Sequence, residues 1–235
     1  MATEGLSRRR WLLVPGTLCT GAVFDGLLEA LGVERDRRVV LPLERPDVED
    51  YAHVLRSAAG PDVVICGFSL GAIVLAHHAD RLEASQMLLF GLNPHADDPA
   101  KAEGRRSLAE DVAARGGAAA LADRLAPLHG PDPAGARSLI LRMAEEAGGH
   151  LAAQTQLAIG RPGAMRALRS ARAPVAILTG TLDEQTPLAL AREAAGALPD
   201  GRAIALPGLG HFALAEDPDA CARAVLSQGT LCHDG

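Results

Sequence analysis

The sequence predicts an α/β fold: a mostly parallel sheet of about six strands with flanking helices and a helical lid inserted into it. Three observations predict it. Short β-branched apolar runs alternate with segments of helical apolar spacing along most of the chain, and such alternation requires parallel pairing with right-handed crossovers. A Gly-x-Ser-x-Gly pentad, Gly67-Phe68-Ser69-Leu70-Gly71, joins one such run to one such helix. From residue 95 to about 170 the β-branched residues almost vanish, so the alternation stops and later resumes.

The elements follow in order. Trp11 to Val14 reads as a buried strand ended by Pro15-Gly16, and Ala22 to Leu31 as a short helix closed by Gly32. Arg38 to Leu41 is a second strand, stopped by Pro42. Asp47 caps a helix whose apolar face is Val48, Tyr51, Ala52 and Leu55, the i, i+3, i+4, i+7 spacing. Val63 to Gly67 is the third strand, Ala72 to Ala79 its following helix, and Gln86 to Phe90 the fourth strand. Residues 95–170, rich in Ala, Arg and Glu and broken at Gly116-Gly117, Pro127, Pro131, Pro133 and Gly148-Gly149, read as several short helices. The strand pattern resumes at Val175 to Thr179. Thr186-Pro187 gives a cap followed by a first-turn proline, opening a helix to about Leu198. Arg202 to Leu206 is the last strand, and Asp217-Pro218 opens a final helix to about Gln228, beyond which Gly229 to Gly235 are expected to fray. The expected organisation is one domain over 8–228 with the lid, 95–170, inserted within it.

A strand that turns abruptly into a helix holds the corner residue in a strained backbone. It lifts that side chain above the sheet and aims helical N–H groups at the same spot. Ser69 is therefore the candidate nucleophile. Gly67 and Gly71 fit because a Cβ on either side of so tight a corner would collide.

A serine hydroxyl needs a base at neutral pH, and the base needs an orienting acid. Sites in open parallel sheets collect at the carboxyl ends of strands. Two further strands end in suitable groups: Gly180-Thr181-Leu182-Asp183 after one, and Pro207-Gly208-Leu209-Gly210-His211-Phe212 after the other. His211 is the expected base and Asp183 the expected acid, in preference to Glu184 beside it. His77 and His78, on the elbow helix, are weaker candidates because a base must reach over the sheet edge. The other histidines, His53, His95, His129, His150 and His233, read as surface or lid residues. Two backbone donors complete an oxyanion hole: the N–H of Leu70, and one from the loop Pro15-Gly16-Thr17-Leu18-Cys19, where Thr17 is preferred and Leu18 is the alternative.

These residues carry a resemblance. Leu-Val-Pro-Gly-Thr-Leu-Cys (13–19), Gly-Phe-Ser-Leu-Gly, Gly-Thr-Leu-Asp-Glu-Gln-Thr-Pro and Gly-Leu-Gly-His-Phe stand in the order found in the α/β-hydrolase superfamily. The chain resembles its small-lidded serine esterase branch, of the pimeloyl-ester esterase and menaquinone-pathway synthase type, from Leu12 to about Leu226. The resemblance implies the fold and triad chemistry, but no particular substrate. Many members have His-Gly where this chain has Pro15-Gly16. The chain also starts at the strand that members count third, so the first hairpin of larger members is not expected.

Composition narrows the partners. The formal net charge of −6 gives no basic excess for nucleic acid or an anionic membrane. The apolar run at Trp11 is shorter than the roughly 7–15 residues of a signal peptide's core, and nothing approaches the roughly 20 of a membrane span. Cys19, Cys66, Cys221 and Cys232 show neither metal-ligand nor small-domain disulfide spacing. The expectation is a cytoplasmic protein, monomer or homodimer, with reduced thiols, no cofactor, no metal and a small-molecule substrate. Leu108, Leu121, Leu125, Leu139, Met143, Leu151 and Leu157 are expected to form mostly the lid's own core. Arg105-Arg106 and Arg161 are candidates to meet an anionic substrate group, against a solvated charged face as the plainer reading. The expected function is hydrolysis of a carboxylic ester, thioester or lactone through an acyl-enzyme. Acyl transfer, cyclisation or lyase chemistry on the same triad, and silent ligand binding, are the alternatives.

Overall fold

The alternation of strand and helix patterns becomes a six-stranded sheet with order β2-β1-β3-β4-β5-β6 and every neighbouring pair parallel. The structure is a computed structural model that describes residues 2–227. The expected frayed tail, Cys232, His233 and Gln228, the expected end of the final helix, lie outside the described residues.

The strands are β1 (Arg10–Val14), β2 (Arg38–Val40), β3 (Gly60–Phe68), β4 (Ala84–Phe90), β5 (Val175–Gly180) and β6 (Gly201–Leu206). Register rows run across the sheet: Leu12 pairs with Ile65, Ile65 with Met87, and Met87 with Val175. The next row is Leu13, Cys66, Leu88 and Ala176. Because successive side chains point to opposite faces, these two rows fall into two separate cores, one on each side of the sheet. That is why the central strands read as unbroken apolar runs rather than alternating ones.

Helices α1 (Ala2–Ser7), α2 (Asp25–Ala30), α3 (Ala52–Ala58) and α4 (Leu70–His77) accompany the first four strands. Between β4 and β5 lie α5 (Ala102–Arg115), α6 (Gly117–Ala122), α7 (Pro133–Ala147), α8 (Leu151–Gly160) and α9 (Met165–Leu168). The chain closes with α10 (Leu188–Ala197), α11 (Ala213–Glu216) and α12 (Pro218–Ser227).

Several expectations need correction. Helix α1 precedes the first expected element; Leu6 packs on the core and its carbonyl accepts the Trp11 indole N–H at 3.1 Å. The capped segments after Thr20 and Asp47 both open as 3-10 turns, Gly21–Phe24 and Val48–Tyr51, before becoming α-helical. Strand β3 starts three residues early, at Gly60, with a register shift before Val64. Thr186 does not cap α10. That helix begins at Leu188 with no side-chain cap, because the Thr186 hydroxyl is bonded elsewhere.

The lid leucines do not share one core. Val112, Ala120, Ala144 and Leu151 cluster with Leu18, and Leu108 and Leu121 pack against them. Met143 and Ile140 join the sheet core on one side, whereas Leu157 and Leu168 join the core on the other. The inserted helices are thus seated on both faces of the sheet.

Candidate active site

Ser69 sits at the β3–α4 corner with φ 50° and ψ −116°, a left-handed conformation for a residue with a Cβ. Such a backbone costs about 1–3 kcal/mol and persists only where its surroundings over-determine it. Here the Ser69 amide donates to the Phe90 carbonyl at 2.8 Å and its carbonyl accepts from Ile73 at 3.0 Å. The two pentad glycines are needed for different reasons. A Cβ at Gly67 would lie 2.8 Å from the Ala72 backbone, across the corner. A Cβ at Gly71 would overlap the Val14 carbonyl, on the neighbouring strand end. Gly16, in the loop after β1, faces the same corner; its Cβ would stand 3.0 Å from the Ser69 Cβ.

The three chemistry-bearing side chains meet. His211 Nε2 lies 3.1 Å from Ser69 Oγ, and His211 Nδ1 lies 2.8 Å from Asp183 Oδ2. The acid and base loops are stitched together: Thr181 donates to the Leu206 carbonyl, Leu182 to the Leu209 carbonyl, and Gly208 to the Thr181 hydroxyl. Phe68 packs against both the His211 and Phe212 rings, with centroids 5.3 and 5.4 Å away. Gly91, at φ 61°, lies beneath the imidazole, where a Cβ would come within 3.0 Å of His211 Cε1.

Asp183, not Glu184, faces the imidazole. Its Oδ1 accepts the Gln185 and Thr186 amides, both at 2.9 Å, and its Oδ2 accepts the Thr186 hydroxyl. Burial pushes its carboxyl up, but His211 and the two Thr186 donors outweigh that and hold it below the usual carboxylate range. Glu184 is exposed at the cavity wall. His77, the last residue of α4, and His78, just after it, are buried away from the cavity lining, and His78 Nε2 is 2.9 Å from the Val48 carbonyl.

Of the two loop amides considered for an oxyanion, Leu18 N–H is occupied: it donates to Gln154 Oε1 at 3.0 Å. Among the described residues no acceptor is found for the Thr17 amide, and Leu70 is the first residue of α4, where helical N–H groups lack an intrahelical partner. Ser69, His211, Thr17 and Leu70 line one cavity of about 630 Å³, with Leu108 and Leu121 from the inserted helices and Leu125 from the loop after α6 also on its wall.

Thr186, Gln154 and Gly91 were missed by sequence reasoning. Thr186 stood in the Asp183 motif but also matched a helix cap; Gln154 carried no signal within its mostly apolar helix. The thiols of Cys19, Cys66 and Cys221 are buried and unpaired, and burial raises their pKa, Cys19 to about 12, so none is poised as a nucleophile. Among the described residues no group of three His, Cys, Asp or Glu side chains is arranged to hold a metal ion, and no helix is long and apolar enough to cross a membrane.

A parallel sheet with a strained serine corner and a Ser–His–Asp line at its strand ends defines the α/β-hydrolase class. The sequence profile of the Alpha/beta hydrolase family matches residues 5–224, and the chain belongs to that family. Its fold is shared with solved structures of low identity. An esterase from Thermogutta terrifontis, with malate bound, superposes with a TM-score of 0.78 at 20% identity, covering 95% of this chain and 90% of the other. The enol-lactonase from Burkholderia xenovorans gives 0.73 at 17%, covering 95% and 92%. MenH from S. aureus gives 0.73 at 16%, covering 93% and 92%. No curated protein sequence matches the chain significantly.

Proposed function

We propose that this protein is a serine hydrolase that cleaves a carboxylic ester, thioester or lactone of a small molecule through an acyl-enzyme on Ser69. The observation that carries the reading is the unbroken line Ser69 Oγ, His211 Nε2, His211 Nδ1, Asp183 Oδ2, with spacings of 3.1 and 2.8 Å, at the wall of a cavity. An ionised Asp183 accepts only, so Nδ1 carries the imidazole proton and Nε2 is free to accept one.

Ser69 Oγ attacks the substrate carbonyl carbon while its proton passes to His211 Nε2. The carbonyl oxygen gains the charge and is received by the Thr17 and Leu70 amides. His211 then gives the proton to the leaving alcohol, thiol or ring oxygen, and the acyl group stays on Ser69. Water repeats the sequence and releases the acid. The helices between β4 and β5 act as the lid, shaping the cavity and limiting water. The esterase and enol-lactonase that share the fold support ester or lactone substrates.

Fluorophosphonate labelling tests the reading. Wild type is expected to label and Ser69→Ala not to label, with His211→Ala labelling far more slowly. Equal labelling of wild type and Ser69→Ala removes Ser69 from the role. Incorporation of heavy oxygen from water into the product acid separates hydrolysis from acyl transfer.

A further inference from the structure

The hydrolase chemistry uses none of the cations on the cavity wall. Lys101, Arg105, Arg124 and Arg161 line it, and Arg124 is engaged by Asp111 at 3.4 Å and the Ser107 hydroxyl at 3.2 Å. One carboxylate, Asp97, holds two of them, Arg105 and Arg161, together. Asp97 takes the Arg105 guanidinium as a fork, Nε on Oδ2 and Nη2 on Oδ1, both at 2.7 Å. The same Oδ1 faces Arg161 Nη1 at 3.1 Å. Lys101 lies four residues before Arg105 on the same helical run, hence on the same face.

The charges in this cluster do not cancel. Two guanidinium groups share one carboxylate, and Lys101 adds a third positive charge at the exposed edge. Arg161 is only 4% exposed, so its charge is largely deprived of water. It donates Nη1 to the Ala158 carbonyl, but its buried Nε meets no acceptor among the described residues. A buried, incompletely paired cation is unfavourable unless something of opposite charge completes it. The two carboxylates on the cavity wall do not. Glu216 Oε2 is taken by the Gly210 amide at 2.7 Å and the His129 amide at 3.3 Å, and Glu184 forms no ion pair with these cations. Arg106, the other arginine singled out in the sequence, is exposed, sits 3.8 Å from Glu103 and does not line the cavity. The solvated-face reading thus holds for Arg106 and fails for Arg161.

Resting on the hydrolase reading of Ser69, we propose that the substrate carries a second, uncleaved carboxylate, and that Arg161, Arg105 and Lys101 form its recognition site. A single negative charge matches the single uncompensated charge of the Asp97–Arg105–Arg161 cluster, and the guanidinium fork suits a planar carboxylate. The cavity, at about 630 Å³, accommodates a small ester acid of this kind.

The test measures inhibition of 4-nitrophenyl acetate hydrolysis, a neutral probe too small to fill the cavity, by adipate, by adipamide and by inorganic phosphate. Adipate is expected to compete and adipamide not. The adipate inhibition constant should rise about 10- to 100-fold in Arg161→Gln and in Arg105→Gln, and less in Lys101→Gln. Because the readout is an inhibition constant, a purely structural role for Arg161 would lower turnover and leave that constant unmoved, which overturns the assignment. If Arg161→Gln does not fold, Arg105→Gln and Lys101→Gln decide. Absence of adipate competition in an active wild type overturns the carboxylate site and leaves the hydrolase reading standing, and competition by phosphate alone does the same. If wild type neither labels nor turns over, the hydrolase reading fails on its own. Calorimetry of adipate binding to wild type and Arg105→Gln then decides the site: weaker binding by the variant supports it, and no binding by wild type overturns it.

Discussion

Gln154 Oε1 accepts the backbone N–H of Leu18 at 3.0 Å, across 136 residues of sequence. Its Nε2 donates to the Leu43 carbonyl at 3.2 Å, so one buried amide on α8 ties together the loop after β1 and the segment after β2. Leu18 has φ 54°, an unfavourable backbone for leucine, and Gln154 holds it there. The neighbouring amides differ in consequence: the Leu18 N–H is engaged by Gln154, whereas no acceptor is found for the Thr17 N–H among the described residues, which fits the proposed oxyanion role of Thr17.

Gln154→Leu keeps the size but strands the Leu18 donor and the Leu43 acceptor. Losing an oxyanion donor outright costs about a hundred- to thousandfold in turnover. Loosening its loop is expected to lower kcat about tenfold or more, with KM little changed. The specific readout is a boronic acid inhibitor whose tetrahedral adduct fills the oxyanion hole: its affinity should fall in parallel with kcat. An unchanged inhibitor affinity would remove Gln154 from this role.

Thr186 spends its hydroxyl on Asp183 rather than on α10. Thr186→Val removes one charge-assisted hydrogen bond and is expected to lower kcat about tenfold or somewhat more. Thr186→Ser keeps the hydroxyl and should retain most of the activity. If Thr186→Val keeps its activity and Thr186→Ser loses it, the methyl group matters and the bond does not.

The glycines separate into two kinds. Gly71→Ala would drive a Cβ into the Val14 carbonyl and is expected to yield little folded protein. Gly196, exposed near the end of α10, has nothing within 4 Å of the position its Cβ would take and no positive φ. Gly196→Ala should stabilise by about 0.5–1 kcal/mol, raising Tm by roughly 1–4 °C, with activity unchanged. A lower Tm for Gly196→Ala would contradict the open surroundings.

His77 and His78 give stability a pH dependence. Burial, the largest influence on each, lowers both pKa values below 6.5, despite the opposing Pro162 and Val48 carbonyls and the Glu49 charge. The unfolded chain therefore binds protons that the folded one refuses. Stability from this source is fully present above the unfolded pKa, about 6.5, and is lost as pH falls through the folded values. Thermal melts from pH 7.5 to 5 should show falling Tm, and His78→Gln, which can still donate to the Val48 carbonyl, should flatten the slope. An identical slope in the variant would assign the effect to other groups.

Much of this was written locally. Strand and helix patterns depend on near neighbours, so the alternation, the serine corner at Gly67 to Gly71 and the loops bearing Asp183 and His211 could all be read along the chain. A parallel sheet then leaves few choices for where strand-end residues go, which is why the sequence alone points to Ser69, Asp183 and His211. What a local pattern cannot specify is the partner of a polar group once it is buried. Thr186 had a plausible use as a helix cap and another as a donor to Asp183; the fold of the loop after β5, which turns Thr186 back onto Asp183 three residues before it, decided between them. The same holds for the Leu18 amide, engaged by a glutamine far along the chain, and for Arg161, whose surroundings rather than whose neighbours in sequence strip its charge of water. Periodicity set the elements, and the packing of distant elements set which hydrogen-bond donors and charges are satisfied within the chain and which are not.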